Sequence, residues 1–205
     1  MGCAQVKGRI GVVNFGESPL NEQSDKVRTQ LDCSAEARLV VGGAAKSADP
    51  KLGLSDREIF KLRTTWKAVH RNVADTGVEM FISLFKSNQD LQAMFLKFSK
   101  LELSDNIRDN GDLALHGQIV MGILDEAIVN IDNPDFIRQR LGGAAATHRR
   151  FTGFYGKLFW AMEQPFLEAV RITLADRFND SIAQIYAKTI CYVLQEMEDA
   201  FNESE

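Results

Sequence analysis

The chain has 205 residues, of which 45% are hydrophobic, 9% aromatic and 25% charged, a balance typical of globular proteins. This composition excludes a collagen-like repeat and a disulfide-dense scaffold, and it argues against wholesale disorder. The 24 Lys and Arg against 28 Asp and Glu give a formal net charge of −4. The sequence therefore predicts no binding to nucleic acid, which needs a surplus of cations.

The first 50 residues differ from the rest of the chain in composition. They include only one aromatic residue, Phe15, but six of the 15 glycines. A segment so poor in aromatic residues cannot bury enough apolar surface to offset the entropy lost on ordering. We therefore predict a flexible, largely disordered extension over residues 1–53 and one folded domain over residues 54–205.

The chain begins Met1-Gly2-Cys3. Removal of Met1 exposes Gly2 for N-myristoylation, and the adjacent Cys3 can take a palmitoyl group. Two acyl chains anchor a protein stably where one is marginal. Val6 replaces the usual Ser or Thr, so an unmodified tail is the alternative. The sequence shows no apolar run of transmembrane length, so we expect lipidation at Gly2 and Cys3 to hold the protein at the cytoplasmic face of a membrane, in particular the plasma membrane.

From residue 55 onward, apolar residues recur at helical spacing. Ser55 and Glu58 have the arrangement of a capping box, and the first helix has an apolar stripe formed by Ile59, Leu62, Trp66, Val69 and Val73. Val78, Phe81, Leu84 and Phe85 indicate a second helix, and a short aromatic segment follows around Phe95 and Phe98.

The second half of the chain predicts longer helices. One has an apolar stripe that includes a histidine: Leu113, His116, Val120, Ile123, Ala127 and Ile131. Pro134 starts the next helix, which runs toward His148. Two helices follow, over residues 154–174 and 182–197, and Pro165 is expected to kink the first of them. Because period-two alternation is nearly absent after residue 54, the sequence predicts an all-α fold of about seven or eight helices.

The three histidines are the main candidates for chemistry. His70 lies at the polar end of the first helix, where we expect it to be solvated or to cap the helix. His116 alone is compatible with a hydrogen-bonded core residue, and His148 alone with the C-terminal end of a helix dipole. Together, 32 residues apart on two helices separated by Pro134, they can line opposite walls of one pocket.

Two imidazoles without a nearby Cys, Asp or Glu at ligand spacing are too few for a closed zinc site. They suit an iron whose remaining ligands come from a macrocycle, and apolar, Phe-rich surroundings suit the same group. The sequence contains no Cys-x-x-Cys-His motif, so the pattern points to non-covalent haem.

These landmarks resemble the globin family over residues 54–201. The matching positions are Trp66, Phe81, Phe95, His116, Val120 and His148. The chain is most similar to neuroglobin and to the acylated globins called globin X, whose extensions begin Met-Gly-Cys. The resemblance implies a globin fold around haem b (iron protoporphyrin IX). It also implies that His148 is the proximal iron ligand and that His116 is the distal residue, which either binds the iron or hydrogen-bonds dioxygen.

The resemblance assigns further roles around the cofactor. His148 is expected to donate its second ring N–H to the carbonyl of Ala144 or to the hydroxyl of Thr147. Expected cofactor contacts are Phe95 against the macrocycle, Phe81 and Val120 around the ligand cavity, and Lys97 and Arg149 beside the propionates. The chain departs from the family pattern at Gly142-Gly143, Ile119 and Pro165.

The function implied by the resemblance is reversible binding of dioxygen and other diatomic gases at a membrane. Iron that is six-coordinate through His116 would favour electron transfer, so redox or nitrite-reducing activity with a reductase partner is a companion hypothesis. A haem-based redox or oxygen sensor that signals through the N-terminal extension is an alternative. A helical interaction module without haem is the third.

Overall fold

The computed structural model describes residues 48–101 and 105–203, with only the backbone of residues 105 and 106. Within these ranges the chain forms seven α-helices and no strand: α1 Asp56–Arg71, α2 Val73–Ser87, α3 Gln89–Met94, α4 Gly111–Val129, α5 Pro134–Ala146, α6 Glu163–Leu174 and α7 Asp180–Asn202. The all-α prediction is confirmed. The predicted disorder and acylation of the extension concern residues that lie outside the described ranges, apart from residues 48–53.

Short 3₁₀ helices connect or precede several α-helices: Pro50–Leu52, Asp105–Asp109, Thr147–Arg150, Gly156–Met162 and Ala175–Arg177. None of the described helices is both long and apolar enough to cross a bilayer.

Local side chains fix where the helices begin. The Ser55 hydroxyl accepts a hydrogen bond from the backbone N–H of Glu58, and the Glu58 carboxylate accepts one from the backbone N–H of Ser55 at 2.8 Å. This is the capping box that the sequence predicts. Asn110, Asn133 and Asn179 cap α4, α5 and α7 in the same position, each accepting from the backbone N–H three residues on.

Helices α2 and α4 cross at two glycines. A Cβ placed on Gly77 would lie 2.7 Å from the carbonyl carbon of Gly117, and one on Gly117 would lie 2.8 Å from that of Gly77. Only glycine allows backbones to approach so closely. Helix α2 also packs against α6, and α5 packs against α7. The crossing therefore fixes the position of α4, which carries His116.

Pro165 does not kink a long helix, and that prediction was wrong. The segment predicted as one helix over residues 154–174 divides into the 3₁₀ helix Gly156–Met162 and α6, which begins at Glu163. Pro165 is the third residue of α6. Because backbone N–H groups in the first turn have no partner within the helix, a proline there costs no intrahelical hydrogen bond.

Residues 49–53 pack against the helical body. Leu52 is 2% exposed, Lys51 Nζ lies 3.3 Å from Glu196 Oε1 on α7, and Arg138 of α5 donates to Asp49 Oδ2 at 3.2 Å. The packed part of the chain thus already includes residues before position 54, where the sequence places the start of the domain.

Candidate functional site

His116 lies on α4 in a group of aromatic rings. Its ring centroid is 4.8 Å from that of Phe81, 5.7 Å from Phe95 and 5.8 Å from Phe98. The imidazole is half-buried and makes no hydrogen bond with any residue in the described ranges. Its ring nitrogens therefore remain available to a group that the protein itself does not supply.

His148 lies in the 3₁₀ helix directly after α5, and its orientation is fixed locally. Its Nδ1 lies 3.0 Å from the Ala144 carbonyl oxygen and 3.4 Å from the Thr147 hydroxyl, which donates to the same carbonyl at 2.7 Å. This is the hydrogen bond that the resemblance implies. Since a carbonyl only accepts, Nδ1 carries the proton and Nε2 has the free lone pair.

A second aromatic group surrounds His148. Its ring centroid lies 4.9 Å from those of Phe154 and Phe159 and 6.2 Å from that of Phe151. Phe154 and Phe159 also contact Phe201 near the end of α7. Each histidine of the pair is thus held among phenylalanines, which limit the access of water to the imidazole.

The two imidazoles are close enough to influence each other. Burial lowers the pKa of His116, and the charges of His148 and Lys97 lower it further. Burial also lowers the pKa of His148, and Arg150 acts in the same direction, while the hydrogen bond to Ala144 opposes them. Both rings therefore favour the neutral form, which is the form that binds a metal ion.

Helix α4 turns two different faces toward the interior. The stripe that the sequence predicts faces the interior at all six positions: it is buried at Leu113, Ala127 and Ile131 and half-buried at the other three. A further buried row that the sequence did not single out follows the glycine crossing with α2: Gly117, Met121, Leu124 and Ile128. His116, Val120 and Ile123 form an adjacent, half-buried row. An apolar row that includes an imidazole and remains partly exposed is suited to cover a cofactor.

The aromatic segment after α3 is held by a side chain that the sequence did not single out. Gln92 is buried, and its amide donates to the carbonyls of Phe98 and Leu101 at 2.8 Å each. Phe95 lies in the chain between Gln92 and Phe98, and it is half-buried, with its ring 5.8 Å from that of Phe81. Gln92 thereby fixes the loop that presents Phe95 to His116.

The two predicted propionate partners lie in different surroundings. Lys97 is largely exposed, 3.4 Å from Asp112, and its charge reaches His116. Arg149 instead donates to the carbonyls of Ala200 and Phe201 at the end of α7. The neighbouring Arg150, which the sequence reasoning missed, is the arginine whose charge acts on His148.

The third histidine stands apart from this pair. His70 Nδ1 lies 2.9 Å from Asp125 Oδ1, and the same oxygen accepts from the indole N–H of Trp66 at 2.7 Å. His70 is solvent-exposed, as the sequence predicts, but it also helps to hold α1 against α4.

The donor set fits haem rather than a metal ion bound by protein alone. Across the described residues, no group of three or more His, Cys, Asp or Glu side chains is placed to hold a metal ion. Two neutral imidazoles are sufficient where a planar macrocycle fills the equatorial positions. The half-buried row of α4 and the surrounding phenylalanines supply the apolar surface that such a macrocycle requires.

The chain is similar in sequence to known globins. Globin-1 of Mordacia mordax is 26% identical over 95 residues, which cover 46% of this chain and 63% of that protein. The chain thus spans about three fifths of that relative. Cytoglobin-2 of Oryzias latipes is 22% identical over 153 residues, covering 73% of this chain and 84% of the relative.

Among solved structures, the hexacoordinated heme protein from an anhydrobiotic tardigrade matches with a TM-score of 0.71 and 27% identity. The match covers 76% of this chain and 99% of that one. The globin fold implied by the resemblance is therefore confirmed. The globin family profile matches residues 78–197, more than half of the chain, and the chain belongs to the globin family.

Proposed function

We propose that this protein binds haem b non-covalently and reversibly binds dioxygen and other diatomic gases. The observation that supports the proposal is the pair of neutral, half-buried imidazoles, one anchored through Nδ1 and the other without a hydrogen-bond partner in the described part of the chain. When bound, haem supplies reversible gas binding and one-electron redox chemistry at its iron.

His148 would hold the iron through Nε2. The hydrogen bond from Nδ1 to Ala144 fixes the tautomer and the direction of the ring, and it makes Nε2 a stronger donor. Thr147 supports the same carbonyl, so the ring is oriented before any cofactor arrives. Phe154 and Phe159 pack against it and limit its other rotamers.

His116 would occupy the opposite side of the cofactor. Its side chain is held by ring contacts alone, so it has fewer restraints than His148. This difference supports His116 as a residue that would bind the iron and that an external gas could displace. It also supports redox activity with a reductase, because a six-coordinate site favours electron transfer over simple storage.

Optical spectroscopy of the haem-reconstituted protein tests the proposal. In the ferrous, gas-free protein we expect sharp, split visible bands that become one broad band in His116→Ala. His148→Ala should lose the normal spectrum and bind haem more weakly. His70→Ala is the matched control, since the His70 ring pairs with Asp125 and stands apart from His116 and His148, and its spectrum should be unchanged. Absence of a Soret band in the reconstituted protein would refute haem binding, and an unchanged spectrum in His148→Ala would refute the proximal assignment.

We also propose that Gly2 and Cys3 are acylated and hold the protein at the cytoplasmic face of the plasma membrane. The support is the N-terminal Met-Gly-Cys sequence. Gly2→Ala should abolish myristate incorporation and lower the membrane-bound fraction, whereas Cys3→Ser should weaken attachment and leave myristate in place. Equal membrane fractions for both variants and the parent protein would refute the anchor.

Signalling through the N-terminal extension is a second candidate, favoured by one observation. Asp49 and Lys51 pair with Arg138 on α5 and Glu196 on α7, and α5 leads directly into His148. We expect the double variant Arg138→Ala with Lys51→Ala to change the rate at which a protease cleaves the extension. In the parent protein this rate should depend on gas binding, and in the double variant it should not. If the cleavage rate of the parent protein were the same with and without bound gas, this candidate function would be refuted.

A further inference from the structure

The solvent-facing side of α1 is strongly basic, although the chain as a whole has a net charge of −4. Helix α1 contains five Lys and Arg residues and two acids. Four of the cations lie on the same side as Phe60, which is 71% exposed; three of them are exposed and Arg63 is half-buried: Arg57, Arg63, Lys67 and Arg71. Their positions extend over about 21 Å of helix at 1.5 Å per residue. We call these five residues the α1 surface.

A cavity of about 500 Å³ opens beside this surface, between α1 and α4. Arg63, Lys67 and Arg71 line it with positive charge, and Trp66 and Ile128 supply its apolar floor. Its lining also includes one acid, Asp125, which is paired with His70. Cations beside an apolar floor match an anion that carries an apolar group. The cavity is separate from the two histidines of the haem site.

Nearby acids neutralise the α1 surface only in part, because the exposed Asp56 lies one turn before Phe60 and Arg63 has an acidic partner. Glu58 is engaged by Ser55 and Lys188, and Asp125 by Trp66 and His70. Asp132 pairs with Arg63. Lys67 and Arg71 make no ion pair with any residue in the ranges 48–101 and 105–203, so their charges act outward on solvent.

We propose that the α1 surface docks the protein onto an anionic lipid bilayer. Cations along a helix are attracted to anionic headgroups, and an exposed aromatic side chain among them enters the interfacial region. The cavity then accepts a headgroup beside Lys67 and Arg71. A bilayer fits better than an acidic peptide because the cations extend along about 21 Å of the convex side of a helix around an exposed phenylalanine, well beyond the cavity that three of them line.

The docking is independent of the acyl groups and of the haem. It places the folded domain itself against the membrane and fixes its orientation, whereas acylation of Gly2 and Cys3 would only tether the domain by a long extension. The test therefore uses the full-length haem-reconstituted chain produced without acylation, so that any partitioning comes from the folded protein. The haem spectrum of each variant, measured in parallel, keeps the test separate from the proposed gas binding.

Sedimentation with vesicles of phosphatidylcholine alone or with added phosphatidylserine measures the partitioning. We expect binding only to the anionic vesicles, with a steep loss as salt is raised. Each cation near the surface contributes about fivefold, so Lys67→Glu with Arg71→Glu should weaken partitioning by about thirtyfold or more. Phe60→Ser should weaken it by about tenfold through lost apolar burial while leaving the salt dependence unchanged.

The control is Lys86→Glu with Arg177→Glu, which makes the same change in charge at two exposed positions outside α1. We expect its partitioning to stay within about threefold of the parent protein, since neither position belongs to the α1 surface. Equal losses in both double variants, or equal binding to neutral vesicles, would overturn the proposal. Binding of inorganic phosphate or polyglutamate without partitioning to anionic vesicles would overturn it as well.

Discussion

The crossing of α2 and α4 gives the sharpest test of how this fold positions its site. Substituting Gly77 or Gly117 by alanine adds one Cβ at a point where only backbone atoms stand opposite. At Gly77 the new atom would lie 2.7–2.8 Å from three backbone atoms of Gly117. At Gly117 it would lie 2.8–3.2 Å from those of Gly77. Backbone atoms cannot rotate away as a side chain can, so the helices must separate.

The size of the effect follows from these distances. Ordinary van der Waals contact begins at 3.4 Å, so the axes must move apart by about 0.7 Å for Gly77→Ala and about 0.6 Å for Gly117→Ala. Overpacking of this kind costs about 1–3 kcal/mol, against a gain of about 1 kcal/mol from the better helix propensity of alanine. We expect the free energy of unfolding of each variant to fall by up to about 2 kcal/mol, which leaves it about 1–3 kcal/mol below a glycine-to-alanine change without a clash.

Urea unfolding of the apoprotein measures this change, with Gly122→Ala and Gly143→Ala as controls. Both glycines lie inside helices, and a Cβ at either would meet no other atom within 4 Å. The controls should therefore gain about 0.5–1 kcal/mol. If Gly77→Ala and Gly117→Ala were as stable as these controls, the close approach of α2 and α4 would not exist as described.

Three further results are expected. Ser55→Ala should lower the free energy of unfolding by about 1 kcal/mol in urea titrations, because it removes the N-cap of α1. Burial raises the pKa of Glu58, but hydrogen bonds from Ser55 and the charge of Lys188 outweigh it and the pKa lies below its usual value. The stability difference between the parent protein and Glu58→Gln should therefore be present above about pH 4.5 and shrink as pH falls further. Gln92→Leu should cost about 2 kcal/mol or more by thermal unfolding, since two carbonyls lose their donor.

The sequence predicts the features of this fold that depend on neighbouring residues. The capping box at Ser55 and the start of α5 at Pro134 both rest on side chains within four positions of each other. The bond from His148 to Ala144, which the resemblance to globins implies, is local in the same way, because a spacing of four residues at the end of a helix brings the two groups together.

Contacts between residues that are far apart in the chain could not be predicted from the sequence in the same way. Gly77 and Gly117 lie 40 positions apart, and a glycine within a helical pattern carries no sign of which helix it will meet. Which of Arg149 and Arg150 acts on His148 depends on the end of α7, because Arg149 donates to the carbonyls of Ala200 and Phe201 there. The division of α4 into a buried and a half-buried row likewise follows from the crossing with α2.

The two histidines of the site therefore depend on different parts of the fold. His148 takes its orientation from Ala144 and Thr147, which precede it directly in the chain. His116 takes its position from the rings of α2 and the following loop, and thus from the glycine crossing one residue away. Because a wider crossing moves α4 and leaves the end of α5 intact, Gly117→Ala should disturb the environment of His116 and spare the anchor of His148. The fold thus allows the two sides of the site to be perturbed separately.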